Sequence, residues 1–205
     1  PTVATPTLNT NNISVCEGTP ITLTASSTTV SPTYQWYLAG TAIGGATSTN
    51  YNPTASGIYS VIANATGYCS SGTASSTVTI NPLPSVTIAQ GTTLTLTGGS
   101  EQLTASAIPS GTYSYTWYSG NSIVSGPSLS NIYDVSVIGN YKVLATSTTT
   151  NCSATSSLIV ITSIPSTTAS GSTTFCDGGS VILTTSMAAG ANGVQWLKNG
   201  VAVTT

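Results

Sequence analysis

The sequence predicts an all-β protein in which β-sandwich domains follow one another in tandem. Three observations carry this. The word Tyr34-Gln35-Trp36-Tyr37 returns as Tyr115-Thr116-Trp117-Tyr118 and as Val194-Gln195-Trp196-Leu197. It contains each of the three tryptophans, 81 and 79 residues apart. A period near eighty far exceeds the roughly 20–50 residues of a solenoid unit, so each period is a domain. Within the word, Tyr34 and Trp36 face one way and Gln35 and Tyr37 the other, which is strand periodicity. A lone Trp on such a strand is the usual core anchor of a sandwich. No helical period persists anywhere in the chain.

At 205 residues the chain holds two complete domains and part of a third. Six residues are charged, Glu17, Glu101, Asp134, Asp177, Lys142 and Lys198, and there is no His or Arg. That is 3% against about 25% in an average soluble domain. Nucleic acid is a poor partner for it, because phosphate neutralisation needs clustered cations, and anionic membrane is disfavoured for the same reason. The 39% hydrophobic content and strong β patterning argue against disorder. A nearly neutral β surface suits an exported protein that is tethered or glycosylated, since charge is the usual guard of sheet edges. No apolar run of 18 residues spans a bilayer, and no signal-peptide pattern opens the chain. Its ends are read as cuts in something longer, with the export signal outside this segment.

Taken in order, the first domain runs over 1–83. Asn12 to Cys16 is an edge strand, Glu17-Gly18 a turn, Ile21 to Ala25 a strand, and Tyr34 to Leu38 the Trp strand. Gly44-Gly45 opens an irregular stretch to Tyr51. Ser56-Gly57 then turns into Ile58-Tyr59-Ser60-Val61, and Thr77 to Ile80 closes the domain. Asn81-Pro82-Leu83-Pro84 is a linker stiffened by its prolines. The second domain, 84–164, repeats the order: Leu94 to Leu96, Gln102 to Ala105, the Trp117 strand, Gly139-Asn140-Tyr141-Lys142-Val143, and Leu158 to Ile161. Tyr133 precedes Tyr141 by eight residues, as Tyr51 precedes Tyr59. A third domain begins at 165 and stops at 205 before its Tyr-bearing strand.

The order of an apolar strand, a Trp strand and then Gly-x-Tyr-x-Val resembles the immunoglobulin-like sandwich. By that resemblance Ala25 and Val61, and likewise Ala105 and Val143, occupy the positions of the antibody cystine. Tyr59 and Tyr141 would be tyrosine corners whose hydroxyls bond back to nearby backbone. More specifically, the chain is similar to the tandem immunoglobulin-like repeats of very large Bacteroidota surface proteins, among them gliding-motility adhesins and other type IX secretion cargo. The matching words are Cys16-Glu17-Gly18 and Cys176-Asp177-Gly178, the Trp words, Ile43-Gly44-Gly45-Ala46-Thr47, Ser56-Gly57-Ile58-Tyr59, Cys69-Ser70 and Asn81-Pro82-Leu83-Pro84. The resemblance implies a linear rod of such domains and names no ligand.

Cysteines at 16, 69, 152 and 176 lack the close pairs of a zinc site. In an oxidising exterior Cys16 with Cys69 is the natural disulfide, because both lie in one domain. Chain entropy sets its contribution at roughly 4 kcal/mol. Cys152 stands where Cys69 does, but Thr97 or Gly98 takes the place of its partner. Cys176 matches Cys16, with its partner expected past Thr205. Both are therefore expected as free thiols in this segment, a bond between them being the less favoured alternative because they lie in different domains. Without His there is no Ser-His or Cys-His nucleophile, and the four acids are scattered, so neither an enzyme nor a metal or cofactor site is expected.

The residues singled out are therefore structural: Trp36, Trp117, Trp196, Tyr59, Tyr141, Cys16 and Cys69. Tyr37 and Tyr118 point outward and are candidate surface contacts, for a glycan or a neighbour, although an amphipathic Tyr covering a sheet needs no ligand. The Thr-x-Thr runs (Thr22/Thr24, Thr77/Thr79, Thr93/Thr95/Thr97) suit half-buried strands without further purpose. Three Asn-x-Ser/Thr sequons, at Asn12, Asn64 and Asn151, match at the rate expected of a Ser/Thr-rich chain. The expected role is a stalk segment of a large exported cell-surface adhesin, whose partners are further repeats of the same chain and, in one alternative, surface glycan. A second alternative is a fibre subunit assembled by strand donation.

Overall fold

The computed structural model describes residues 1–91, 93–96, 100–186 and 193–203, and among them every regular element is a strand. The chain divides into two compact units, Pro1–Leu83 and Pro84–Thr205.

The first unit contains β1 (Thr7–Leu8), β2 (Asn12–Cys16), β3 (Leu23–Ser26), β4 (Thr33–Leu38), β5 (Thr41–Ala42), β6 (Asn50–Tyr51), β7 (Gly57–Asn64) and β8 (Thr73–Asn81). They form a three-stranded sheet, β1-β3-β6, and a five-stranded sheet, β2-β8-β7-β4-β5. Alternation is what makes two sheets. On β4 Tyr34 and Trp36 are buried between neighbours that are not, and on β7 Tyr59, Val61 and Ala63 are. With apolar residues on one face only, the two sheets close on each other. Trp36, Val61 and Ala63 then meet Val3, Ile21, Leu23, Ala25 and Val78 in one core. β2 joins β8 in parallel, from Asn12 opposite Thr77 to Cys16 opposite Asn81.

The second unit repeats this plan. Its strands are β9 (Ser85–Ile88), β10 (Thr93–Leu96), β11 (Glu101–Ile108), β12 (Tyr113–Ser119), β13 (Ser122–Ser128), β14 (Ile132–Val135), β15 (Gly139–Ser147), β16 (Ser153–Thr155) and β17 (Ile159–Ser163). One sheet is β14-β11-β9, and the other is β10-β17-β15-β12-β13 with β16 beside β15. β10 and β17 are again parallel. Trp117, Leu103, Val135, Val143, Ala145 and Ile159 lie at its centre. Ala25, Val61, Ala105 and Val143, the four cystine-like positions, are all buried.

After Pro165 the described residues form two small antiparallel pairs, β18 (Ser166–Ala169) with β19 (Leu183–Ser186) and β20 (Leu197–Lys198) with β21 (Val201–Ala202). None of these residues is buried. Trp196, expected as a third core anchor, is therefore only partly covered and precedes β20 instead of lying within a strand. The described part of this stretch brings no second sheet against it, and an indole is buried only when two sheets close over it.

Candidate functional site

Each of the two sandwiches is pinned by the same three aromatic rings. Trp36 stacks on Tyr51 at 5.7 Å between ring centroids, and Tyr51 lies 5.5 Å from Tyr59. Trp117 stacks on Tyr133 at 5.7 Å, and Tyr133 lies 6.0 Å from Tyr141. Trp and the last Tyr come from adjacent strands of the larger sheet, while the middle Tyr rises from or beside the smaller sheet, so the stack bridges the sandwich. Offset pairs of this kind contribute about 0.5–1.5 kcal/mol beyond the area they bury. The middle tyrosines are the members that sequence reasoning left without a role. Their signal was present in the shared eight-residue spacing.

The hydroxyl ends are fixed as well. Tyr59 donates to the Ala55 carbonyl at 2.9 Å and Tyr141 to the Val137 carbonyl at 3.0 Å, each four residues back. Burial, and then the neighbouring Tyr51, raise the Tyr59 phenol above its ordinary pKa, against a smaller lowering by the Ala55 bond. Tyr133 is raised for the same first reason and by Tyr141.

The two indoles differ. Trp36 Nε1 donates to the Ser48 carbonyl at 2.9 Å, whereas Trp117 Nε1, equally buried, has no partner. Ser48 belongs to the irregular connection between β5 and β6. In the second unit that stretch is drawn into β13, seven residues long and paired with β12 through two register shifts, in place of the two-residue β5.

The cysteines do not pair as the sequence suggested. Cys69 is a free, exposed thiol, while Cys16 is disulfide-bonded. Geometry forbids the expected bridge. Cys16 sits opposite Asn81 at the end of β8, and Cys69 lies before the start of β8 at Thr73, bridged to Thr2. At about 3.3 Å per residue, the nine residues of β8 set the two roughly 25 Å apart, against a Cα separation below about 7 Å in a disulfide. Cys152, expected free, is buried and disulfide-bonded. Cys176 is a free thiol.

The outward tyrosines also differ. Tyr118 stands opposite Lys142 on β15, whose ammonium lies 5.7 Å from the ring centroid. Tyr37 stands opposite Ser60 on β7. Of the threonine ladders, Thr77 and Thr79 face outward from β8, Thr95 meets Thr162 at 3.2 Å, and Thr97 lies outside the described residues.

One cleft of about 630 Å³ opens in the first unit, lined among others by Glu17, Pro20, Ile21, Pro53, Ser56, Ile80 and Pro82. Its walls are tied: Thr19 N–H bonds the Cys16 carbonyl at 3.0 Å, and Ile80 N–H bonds Ser56 Oγ at 2.8 Å. Gly18 closes the first turn at φ +83°, and Gly178 repeats it at the same angle in Cys176-Asp177-Gly178. The cleft holds a single acid and no nucleophile–base pair. Among the described residues no group of three His, Cys, Asp or Glu could hold a metal ion, and no helix is long and apolar enough to cross a membrane.

Residues 3–82 match the family model described as Ig-like domain CHU_C associated. The match spans the sandwich of the first unit, which is similar to that Ig-like domain, and the second unit shares its strand order. No curated protein matches the sequence. Among solved structures the chain is similar to an I-band fragment of titin, at 11% identity over 98% of this chain and 81% of that one, TM-score 0.46. It is similar to the fibronectin(III)-like modules of Clostridium thermocellum CbhA, at 16% identity over 77% of this chain and 94% of that one, TM-score 0.38. It is also similar to the N-terminal four Ig domains of a Dscam1 isoform, at 16% identity and TM-score 0.38, covering 78% of this chain but only 46% of that one. The chain thus spans less than half of that Dscam1 fragment.

Proposed function

We propose that this chain is a stalk segment of a large exported cell-surface adhesin, a linear rod of Ig-like domains that holds a distal binding region away from the cell. The observation that carries the reading is the repetition of one plan in tandem, the same strand order around the same Trp-Tyr-Tyr stack on either side of Pro82-Leu83-Pro84. The Ig-like family match over the first unit supports it. So does the scarcity of charge, and the residue inventory offers no nucleophile–base system to an enzyme.

A parallel pair that includes the last strand suits a load-bearing role. In the first unit β2, which follows the short β1, runs parallel to β8, the last strand, so tension that reaches β2 and β8 from the two chain ends pulls them in opposite senses along a shared ladder of five residue pairs. Their hydrogen bonds are then loaded together in shear instead of being unzipped singly. β10 and β17 repeat the device over four pairs.

Small-angle scattering on the 205-residue chain tests the rod. A compact globule of that length has a radius of gyration of about 17 Å, and a row of domains has a distinctly larger one. A value at the globular figure would count against the proposal.

A second reading, a fibre subunit completed by strand donation, is favoured by the exposure of Phe175, Ile182, Leu197 and Val201. Sedimentation as a single species at every concentration would remove it.

A further inference from the structure

We propose that the outer face of the five-stranded sheet in the first unit binds a neutral polysaccharide, with a sugar ring stacked on Tyr37. The proposal deepens the surface-protein reading by naming a ligand class, and it rests on that reading only in that such a chain meets polysaccharide.

The two units supply the contrast from which it is drawn. Tyr37 and Tyr118 occupy equivalent places on the Trp strand, both half-buried with part of the ring outward. In the second unit the cross-strand neighbour is Lys142, and its ammonium takes the ring. In the first unit the neighbour is Ser60, too short to reach over the ring, so that Tyr37 remains open. Two positions along β7 from Ser60, on the same face, stand Ile58 and Ile62, which flank Tyr37 diagonally. An open aromatic ring with aliphatic shoulders matches the C–H-rich face of a pyranose.

The surroundings set the ligand's charge and polarity. The first unit has one charged residue, Glu17, and it lies in the turn after β2, off this face. Two strands from the ring, Ser75 pairs with Ser60 and Thr77 with Ile58 across the β7–β8 ladder. Alternate residues on β8 project from one face at about 6.7 Å spacing, so the hydroxyls of Ser75 and Thr77 form a row about 10 Å from the ring, within reach of a neighbouring sugar of the same polymer. These hydroxyls can donate to or accept from sugar hydroxyls, while a charged ligand would lose solvation and gain no counter-charge.

Affinity electrophoresis of the full chain through gels containing mixed-linkage β-glucan, glucomannan or α-glucan, with alginate as the anionic control, tests this. At least one neutral polymer is expected to retard the chain. Tyr37→Ala should weaken retardation about tenfold, and Tyr118→Ala should leave it within about twofold. Ser60→Lys, which installs in the first unit the cation that covers Tyr118 in the second, should weaken it as Tyr37→Ala does. Thermal melts of the variants verify that the Trp36 core is intact. No retardation by any neutral polymer, a preference for alginate, or loss through Tyr118→Ala instead of Tyr37→Ala would overturn the proposal. So would a concentration-dependent dimer that Tyr37→Ala dissolves in the absence of retardation, which would give the face to a second copy. None of these outcomes bears on the stalk reading, which scattering tests separately.

Discussion

Two indoles at equivalent places meet unlike surroundings, and the difference is one hydrogen bond. Replacing Trp36 by Phe removes packing and also the bond to Ser48. Replacing Trp117 by Phe removes similar packing, but it also removes a buried N–H that has no acceptor. An unmet buried donor costs about 1–3 kcal/mol, so Trp36→Phe should destabilise its unit by about 1–3 kcal/mol more than Trp117→Phe destabilises the other. Urea unfolding of the two variants checks this, and the reverse order would contradict it. The phenols give a pH signature. Tyr59, Tyr115 and Tyr133 are all raised, chiefly by burial. A raised phenol holds its proton in the folded chain at a pH where the unfolded chain, with Tyr near 10, releases it. The associated stability is fully present below pH about 10 and declines as pH rises through the folded values. Melting temperatures measured from pH 8 to 12 should fall above about 10, and fall less in Tyr133→Phe.

Among the elements, β13 departs most from its counterpart, and Gly126 lets it do so. At φ +97° it lies in a region costly for any other residue, and an added Cβ would collide with the Tyr115 carbonyl oxygen and crowd Thr116 Cα. Neither backbone neighbour can move without breaking the β12 ladder. Gly126→Ala should therefore cost the second unit about 2–4 kcal/mol, while Gly120→Ala, at φ +59° with open space around it, should cost less. Chemical unfolding of both variants decides this. The strands also fix the thiol chemistry. Iodoacetamide applied to the native chain before reduction should label Cys69 and Cys176, and Cys16 and Cys152 only after reduction. Peptide mass spectrometry reads the result, and protection of Cys69 would contradict it. The pairing of Cys16 with Cys69 was drawn from co-residence in one domain, a sound prior with no register in it. The length of β8 is a property of the folded ladder, and it separates them.

For the molecule as a whole, charge is the governing quantity. With six charged residues in 205, no partner can be held mainly by ion pairs, so any binding should change little between low and high salt. Titration of the polysaccharide interaction at 50 and 500 mM NaCl, which brackets the range where ionic contacts screen out, checks this; steep weakening would contradict it.

The sequence by itself determined the β class, the period, the two-faced strands, and the Trp and Tyr positions that reach the cores. All of these follow from alternation and spacing, which are local properties. Tertiary structure decided what depends on which strand lies beside which. It set Ser48 against Trp36 and no acceptor against the Trp117 indole N–H, laid Lys142 on one outward tyrosine and Ser60 by the other, left Trp196 without a covering sheet among the described residues, and placed Cys69 a full strand length from Cys16. Register and strand length arise from the closing of two sheets on one another, and no window of neighbouring residues contains that information.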